Sequence, residues 1–254
     1  VPTLDLNDFE SVPLQQPLHR YTIAHRGSLH EGLPDNSLTA LRDSISKGVQ
    51  FLEVDVRRGG DGELFLFHDG SLRESNFSSP KELLGKSAQV LSADEREKVR
   101  LDPNGLIGIP TLAQALSLLN ATNTAVLQLD LKGESDQLLD SVVKLLAKEG
   151  KLSRAVVQLK HPERIQRIRS QAPHLRVLAR VRDMQQLENA IAAKVEFIEL
   201  ERWITGEAVE RCHAANITVV LNVAAPPYDN PQTWEFFRAR GIDSLMSDHA
   251  AAAR

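Results

Sequence analysis

From Tyr21 to Ser247 the chain alternates short β-rich runs with helix-like runs, and this rhythm restricts the fold more than any other feature. Strands are expected at 21–25, 51–56, 64–68, 125–131, 155–159, 176–181, 197–200, 218–222 and 244–247. Helices are expected at 37–47, 112–119, 136–149, 162–170, 184–193, 206–215 and 231–240. Asp136, Thr205 and Asn230 stand where N-caps belong, Pro231 suits a first helical position, and Gly48, Gly150 and Gly241 follow the last helical turns. Strands alternating with helices form parallel sheets joined by right-handed crossovers. About eight such units in 254 residues favour a closed (β/α)8 TIM barrel. The open doubly wound sheet is disfavoured, because no glycine-rich dinucleotide fingerprint follows the first strand.

The expected organisation is one domain over residues 1–254, with a proline-bearing N-terminal arm at 1–19 and an insertion at 69–110. The insertion is polar and charged, carries a Ser92…Glu95 capping-box spacing, and reads as an excursion after the second strand region rather than a separate core. It is either a cap over the barrel mouth or a solvated surface excursion. The net charge of −4 gives no basic field for nucleic acid, and no apolar stretch is long enough to span a bilayer. The single cysteine, Cys212, reads as a small buried apolar residue. The first residue is Val1 rather than Met, which suggests a processed start. The expected location is periplasmic or secreted, with the cytoplasm as the alternative.

Three short strings carry chemistry: Ala24-His25-Arg26-Gly27, Phe51-Leu52-Glu53-Val54-Asp55-Val56-Arg57 and Phe67-His68-Asp69. Glu53 and Asp55 lie two apart on a strand and so leave the same face. Paired oxygen ligands suit a hard divalent cation, Mg²⁺ or Ca²⁺ rather than Zn²⁺. Two flanking histidines, His25 and His68, suit general acid and base work. Arg26 suits a phosphate, although it could instead only cap the barrel. The set points to metal-assisted cleavage of a phosphate ester. Further charged pairs sit at other strand ends: Gln158 and Lys160, Arg180 and Arg182, Glu199 and Glu201. Lys160 and Arg180 either read a charge on the substrate headgroup, with Glu199 and Glu201 pairing them, or belong to a structural ion-pair layer.

These strings resemble the glycerophosphodiester phosphodiesterase family. Its pattern of His-Arg-Gly, Pro-Glu-Asn-Thr, Glu-x-Asp and His-Asp is matched at His25-Arg26-Gly27, Pro34-Asp35-Asn36-Ser37, Glu53-Val54-Asp55 and His68-Asp69. Ile109-Pro110-Thr111-Leu112, Leu127-Gln128-Leu129-Asp130-Leu131-Lys132, Gly241-Ile242-Asp243 and Ser247-Asp248 extend the resemblance from about Tyr21 to Asp248. The resemblance implies a (β/α)8 barrel that hydrolyses small glycerophosphodiesters to an alcohol and sn-glycerol 3-phosphate. It implies Glu53, Asp55 and Asp130 as ligands of a divalent metal, His25 and His68 as the acid–base pair, and Arg26 and Lys132 as phosphate contacts. It also implies the glycerol 2-hydroxyl as nucleophile, with a cyclic phosphate that water opens.

The chain departs from the pattern in three places. Asp130 replaces a glutamate, Asp35 replaces another, and the tryptophan expected just before Asn222 is missing. Asp130 is also open to a purely structural pairing with Lys132. The alternatives to this reading are a phospholipase D-like enzyme cleaving lipid headgroups, a barrel that binds phosphorylated ligands without turnover, and a sugar-active barrel using two carboxylates.

Overall fold

A computed structural model describes residues 21–27, 32–73, 80–200, 204–224 and 227–253. Among the described residues the strands are β1 (Tyr21–Ala24), β2 (Phe51–Arg58), β3 (Leu64–Leu66), β4 (Val126–Leu131), β5 (Ala155–Leu159), β6 (Arg176–Val181), β7 (Phe197–Leu200), β8 (Thr218–Asn222) and β9 (Ser244–Ser247). Eight of them form a closed parallel barrel, because β1 pairs with both β2 and β9. The chain is thus a (β/α)8 barrel, as its alternating pattern implies.

The helices are α1 (Leu38–Ser46), the short α2 (Ala93–Arg96), α3 (Leu112–Leu118), α4 (Asp136–Lys148), α5 (Ile165–Gln171), α6 (Met184–Ala192), α7 (Gly206–Ala214) and α8 (Pro231–Arg238). Thr205 and Asn230 cap their helices as expected, and Ser92 with Glu95 forms a full capping box. Asp136 does not act as a cap. Ser135 accepts the Leu138 amide, which leaves Asp136 in the first turn, where its charge favours the helix dipole. The helix expected at 162–170 opens with a 3-10 turn over Pro162–Arg164.

Period two along the strands divides their side chains between two environments. Leu52, Val54 and Val56 of β2 pack outward into the main core beneath the helices. Ile23, Phe51, Val126, Val156, Leu178, Phe197, Val220 and Met246 point inward and fill the lower barrel with an apolar layer. That layer closes the barrel from one end, so any site must lie above it, at the C-terminal ends of the strands.

The run at 64–68 is not a barrel strand. Only Leu64–Leu66 is extended, and it pairs antiparallel with Val56–Arg58. The cause is the short β1, which ends at Ala24 and leaves the upper edge of β2 open. A tight turn closes the hairpin, with the Gly62 amide bonded to the Gly59 carbonyl. The segment that follows has a small core of its own, built from Phe65, Phe67, Leu72, Leu83, Leu91, Val99 and Leu101 among others. It is therefore more than a solvated excursion. Buried Arg96 pins it to the hairpin through Asp61 (2.8 Å) and Glu63 (2.5 Å) and stacks on Phe65. No described helix is long and apolar enough to cross a membrane. The arm at 1–19 lies outside the described residues, with His19, His30, Phe77, Glu201 and Trp203.

Candidate active site

Two residues above the apolar layer, the same strands turn polar. Glu53, Gln128, Gln158, Arg180, Glu199 and Asn222 take the next inward positions, and His25 and Asp248 follow directly beyond β1 and β9. Within this ring Gln128 donates to Gln158 (2.7 Å), and Arg180 donates to Glu199 Oε1 (2.8 Å). This Arg180–Glu199 pair fits both readings of these strand ends, the structural ion-pair layer and the headgroup-reading pair. One step higher on β2 and β4 stand Asp55 and Asp130.

Glu53, Asp55 and Asp130 are all buried, and each offers an oxygen within 4.8 Å of the others. Their closeness comes from register. Asp55 and Asp130 are direct partners across the parallel β2–β4 pair, and Glu53 shares their face. Asp130 therefore reaches the group despite being one methylene shorter than a glutamate.

The turn His25–Gly27 supplies the next groups. Arg26 (φ 52°) and Gly27 (φ 66°) both lie in the left-handed region. A Cβ on Gly27 would stand 2.5 Å from Leu41 Cδ2 of α1, so a side chain here would meet both the left-handed φ and a displaced Leu41. This turn aims the Arg26 amide at Glu53 Oε2 (2.8 Å) and brings the guanidinium to Asp35 (2.8 Å) and Asp55 (3.5 Å). Asn36, also left-handed at φ 59°, donates to Asp55 Oδ2 (2.7 Å) and accepts the Asp55 amide (2.8 Å).

Lys132 Nζ lies 2.6 Å from both Asp55 and Asp130. Lys160 Nζ is 3.2 Å from Asp130 Oδ1, without the geometry of a hydrogen bond. The site thus joins Lys132 to Asp130, as a structural pairing would, but also to a second carboxylate. Both histidines are anchored through Nδ1: His25 donates to Asp248 (2.8 Å) and His68 to Asp69 (2.9 Å). Arg57, buried under β3, donates to the Phe67 (3.0 Å) and His68 (2.6 Å) carbonyls and so fixes the backbone that carries His68.

The electrostatics show a site short of positive charge. Burial, and next the charge of Asp55, push the Glu53 carboxyl up to about 8. Burial also opposes ionisation of Asp130, but Lys132, Lys160 and Arg180 outweigh it and hold that carboxyl below its ordinary range. Burial disfavours the charged form of His25, yet the Asp248 bond and the Glu53 charge raise its pKa above the usual value. A cavity of about 390 Å³ opens beside Arg26 and Asn36, the two residues that reach Asp55. Arg26, Asp35 and His68 supply its polar wall, and Leu33, Phe67 and Leu101 its apolar one. Leu101 comes from the segment at 69–110, which therefore forms part of the site wall.

All seven residues picked from sequence converge on this mouth. Asn36, Arg57, Asp229 and Asp248 were not assigned roles, because their contacts span long sequence distances. Outside the mouth, His213 is mostly enclosed and lies 3.2 Å from buried Asp243. Cys212 is buried, and desolvation pushes its thiol up to about 12.

Residues 25–252 match the model of the glycerophosphoryl diester phosphodiesterase family. Bovine glycerophosphodiester phosphodiesterase 1 is 29% identical over 159 residues, which is 59% of this chain and 47% of the bovine one. The match covers less than half the length of the bovine, rat and mouse proteins of that name. A glycerophosphoryl diester phosphodiesterase from Parabacteroides distasonis superposes with a TM-score of 0.75 at 19% identity, covering 100% of this chain and 90% of that one. A phosphodiesterase from Oleispira antarctica, solved with its product sn-glycerol-3-phosphate, gives the same TM-score and identity over 94% of this chain and 95% of that one. These structural likenesses establish the shared barrel. The family match runs through every motif gathered at the mouth, and the chain belongs to the glycerophosphoryl diester phosphodiesterase family.

Proposed function

We propose that this chain hydrolyses small glycerophosphodiesters to an alcohol and sn-glycerol 3-phosphate, using a divalent cation. The observation that carries the reading is the buried cluster of Glu53, Asp55 and Asp130, at the same barrel mouth as two histidines each tied to a carboxylate. Three buried acids in mutual reach repel one another unless a cation joins them. Asp130 Oδ1 makes no hydrogen bond among the described residues, which suits an atom that ligates a cation. The all-oxygen donor set fits Mg²⁺ or Ca²⁺. When bound, such an ion neutralises phosphate charge and polarises a phosphoryl oxygen.

The chain's own groups do the rest. Carboxylates can only accept, so both imidazoles keep the proton on Nδ1 and leave Nε2 for proton exchange. One ring takes the proton of the attacking hydroxyl, and the other protonates the departing alkoxide. Arg26 and Lys132 carry fixed positive charge toward the phosphoryl oxygens. The cavity beside Arg26 and His68 has room for part of a small diester. The product held by the Oleispira antarctica relative supports the same substrate class.

The test is release of glycerol 3-phosphate from glycerophosphocholine and glycerophosphoethanolamine in chelator, Mg²⁺ or Ca²⁺. Release restored by one ion is expected. His25→Ala and His68→Ala should each lower turnover by at least ~10²-fold. No release with any ion, or near-normal turnover in both variants, refutes the reading.

A further inference from the structure

His25 stands just beyond β1, and its ring is held from the opposite end of the chain. The closing register of the barrel ends with Ala24 opposite Ser247. The next residue on each strand is His25 and Asp248, and their side chains meet at 2.8 Å. Asp248 is itself fixed. Its amide donates to Asp229 Oδ2 (2.8 Å), and Asp229 Oδ1 accepts from Ser247 Oγ (2.6 Å) and Trp234 Nε1 (3.0 Å). Ser247 Oγ in turn accepts the His249 amide (2.8 Å). One carboxylate ahead of α8 therefore sets the backbone of residues 247–249, and through it the carboxylate that reaches His25.

We propose that Asp248 is a positioning residue for His25, with Asp229 as the anchor that holds it in place. This inference rests on His25 acting in proton transfer. A neutral imidazole can carry its proton on either nitrogen. A carboxylate at Nδ1 selects the Nδ1–H form, so Nε2 is the one ring nitrogen that can accept a proton from a reacting hydroxyl or pass one on. When Nε2 takes a proton, the Asp248 charge stabilises the resulting imidazolium. An asparagine at 248 keeps the size but offers an NH₂ as readily as an oxygen, so the tautomer is no longer dictated. The geometry also makes barrel closure a condition for chemistry: the β1–β9 pairing delivers both members of the dyad. His68 needs no such closure, because its partner Asp69 is the next residue in the chain.

The experiment combines kinetics and NMR on the full chain, with glycerophosphocholine and the ion that supports turnover. Asp248→Asn and Asp248→Ala should lower kcat by about 10²- to 10⁴-fold while KM stays within about threefold. Asp248→Glu should recover part of the loss. The double variant H25A/D248N should be no slower than H25A, because Asp248 acts through His25. Long-range ¹H–¹⁵N correlation on ¹⁵N-histidine protein, with His25 assigned by its loss in H25A, should show the proton on Nδ1 in the native chain and a mixed tautomer in D248N. Three results overturn the proposal: D248N turnover within about threefold of native, multiplicative losses in the double variant, or a native His25 protonated on Nε2. Native turnover in H25A would instead sink the acid–base reading, and the positioning role with it. Loss in H25A without loss in D248N sinks the positioning role alone.

Discussion

Raising the pH should weaken the metal-free protein, and Glu53 is the main cause. Lys132 shares its charge between Asp55 and Asp130, whereas the bond found for Glu53 is the Arg26 amide. The Glu53 carboxyl is accordingly raised from 4.5 to about 8. A folded-state pKa above the unfolded one means that the folded chain binds the extra proton. The stabilisation is full below 4.5 and is lost as pH rises through about 8. Between these limits stability falls by ~1.4 kcal/mol per pH unit. From pH 6 to pH 8 the loss is roughly 2 kcal/mol, since the slope flattens as pH nears 8, or about 4–8 °C in Tm for a chain of this size. His25 adds in the same direction, since its raised pKa gives stability present below the unfolded value of 6.5 and lost above its folded one.

A saturating divalent cation holds Glu53 ionised and removes its part of the slope. Metal affinity should then rise up to about tenfold per pH unit below 8, with a proton released on binding. The assay is thermal unfolding at pH 6, 7 and 8 in chelator and in Mg²⁺ or Ca²⁺, on the native chain and Glu53→Gln. In chelator, Glu53→Gln should lose most of the pH slope. A native-like slope in that variant, or metal-free protein that gains stability from pH 6 to pH 8, refutes the argument.

Gly27→Ala should cost roughly 2 kcal/mol or more, since it combines a left-handed φ with a Cβ 2.5 Å from Leu41; denaturant unfolding reads the stability, and turnover should fall with it as Arg26 leaves Glu53. Arg96→Ala should loosen the segment at 80–110 by roughly 1–3 kcal/mol, below the range for a fully buried pair because Asp61 and Glu63 are partly exposed; hydrogen exchange should rise there and not in β5–β8. Lys160→Met should raise KM by about 5- to 10-fold for diesters with an anionic headgroup and leave neutral ones unchanged; equal changes for both would mean that Lys160 serves only Asp130.

The barrel was legible because its rhythm is local. Five strands, β5 to β9, run between the residues expected from composition and punctuation alone. The direction of β3 was not read, although Gly59-Gly60-Asp61-Gly62 ahead of it is a hairpin signal of Gly-Gly and Asp-Gly type. A short apolar run looks the same in a parallel and an antiparallel strand, so only the turn could decide. In the site, Glu53 and Asp55 were legible from period two. The bonds of Asn36 to Asp55, Arg57 to the His68 carbonyl and Asp248 to His25 were not, because no spacing rule connects residues that meet only when the barrel closes.

Asp130 shows how backbone register can offset a change in side-chain length. A glutamate shortened to aspartate would move its carboxylate away from a metal if the strands were out of step. Here β4 sets Asp130 directly across from Asp55, and adjacent strands lie only about 4.8 Å apart, so the shorter side chain still meets its neighbour. Asp130 lies beside the ammonium groups of Lys132 and Lys160, each just past the end of its strand, and they hold it ionised. The burden of unfavourable charge then falls on Glu53, one step deeper and next to the apolar floor. An ion entering this mouth meets Asp130, held ionised by its ammonium neighbours, and Glu53, whose carboxyl must first give up its proton, and Glu53 is where metal binding and folding stability are coupled.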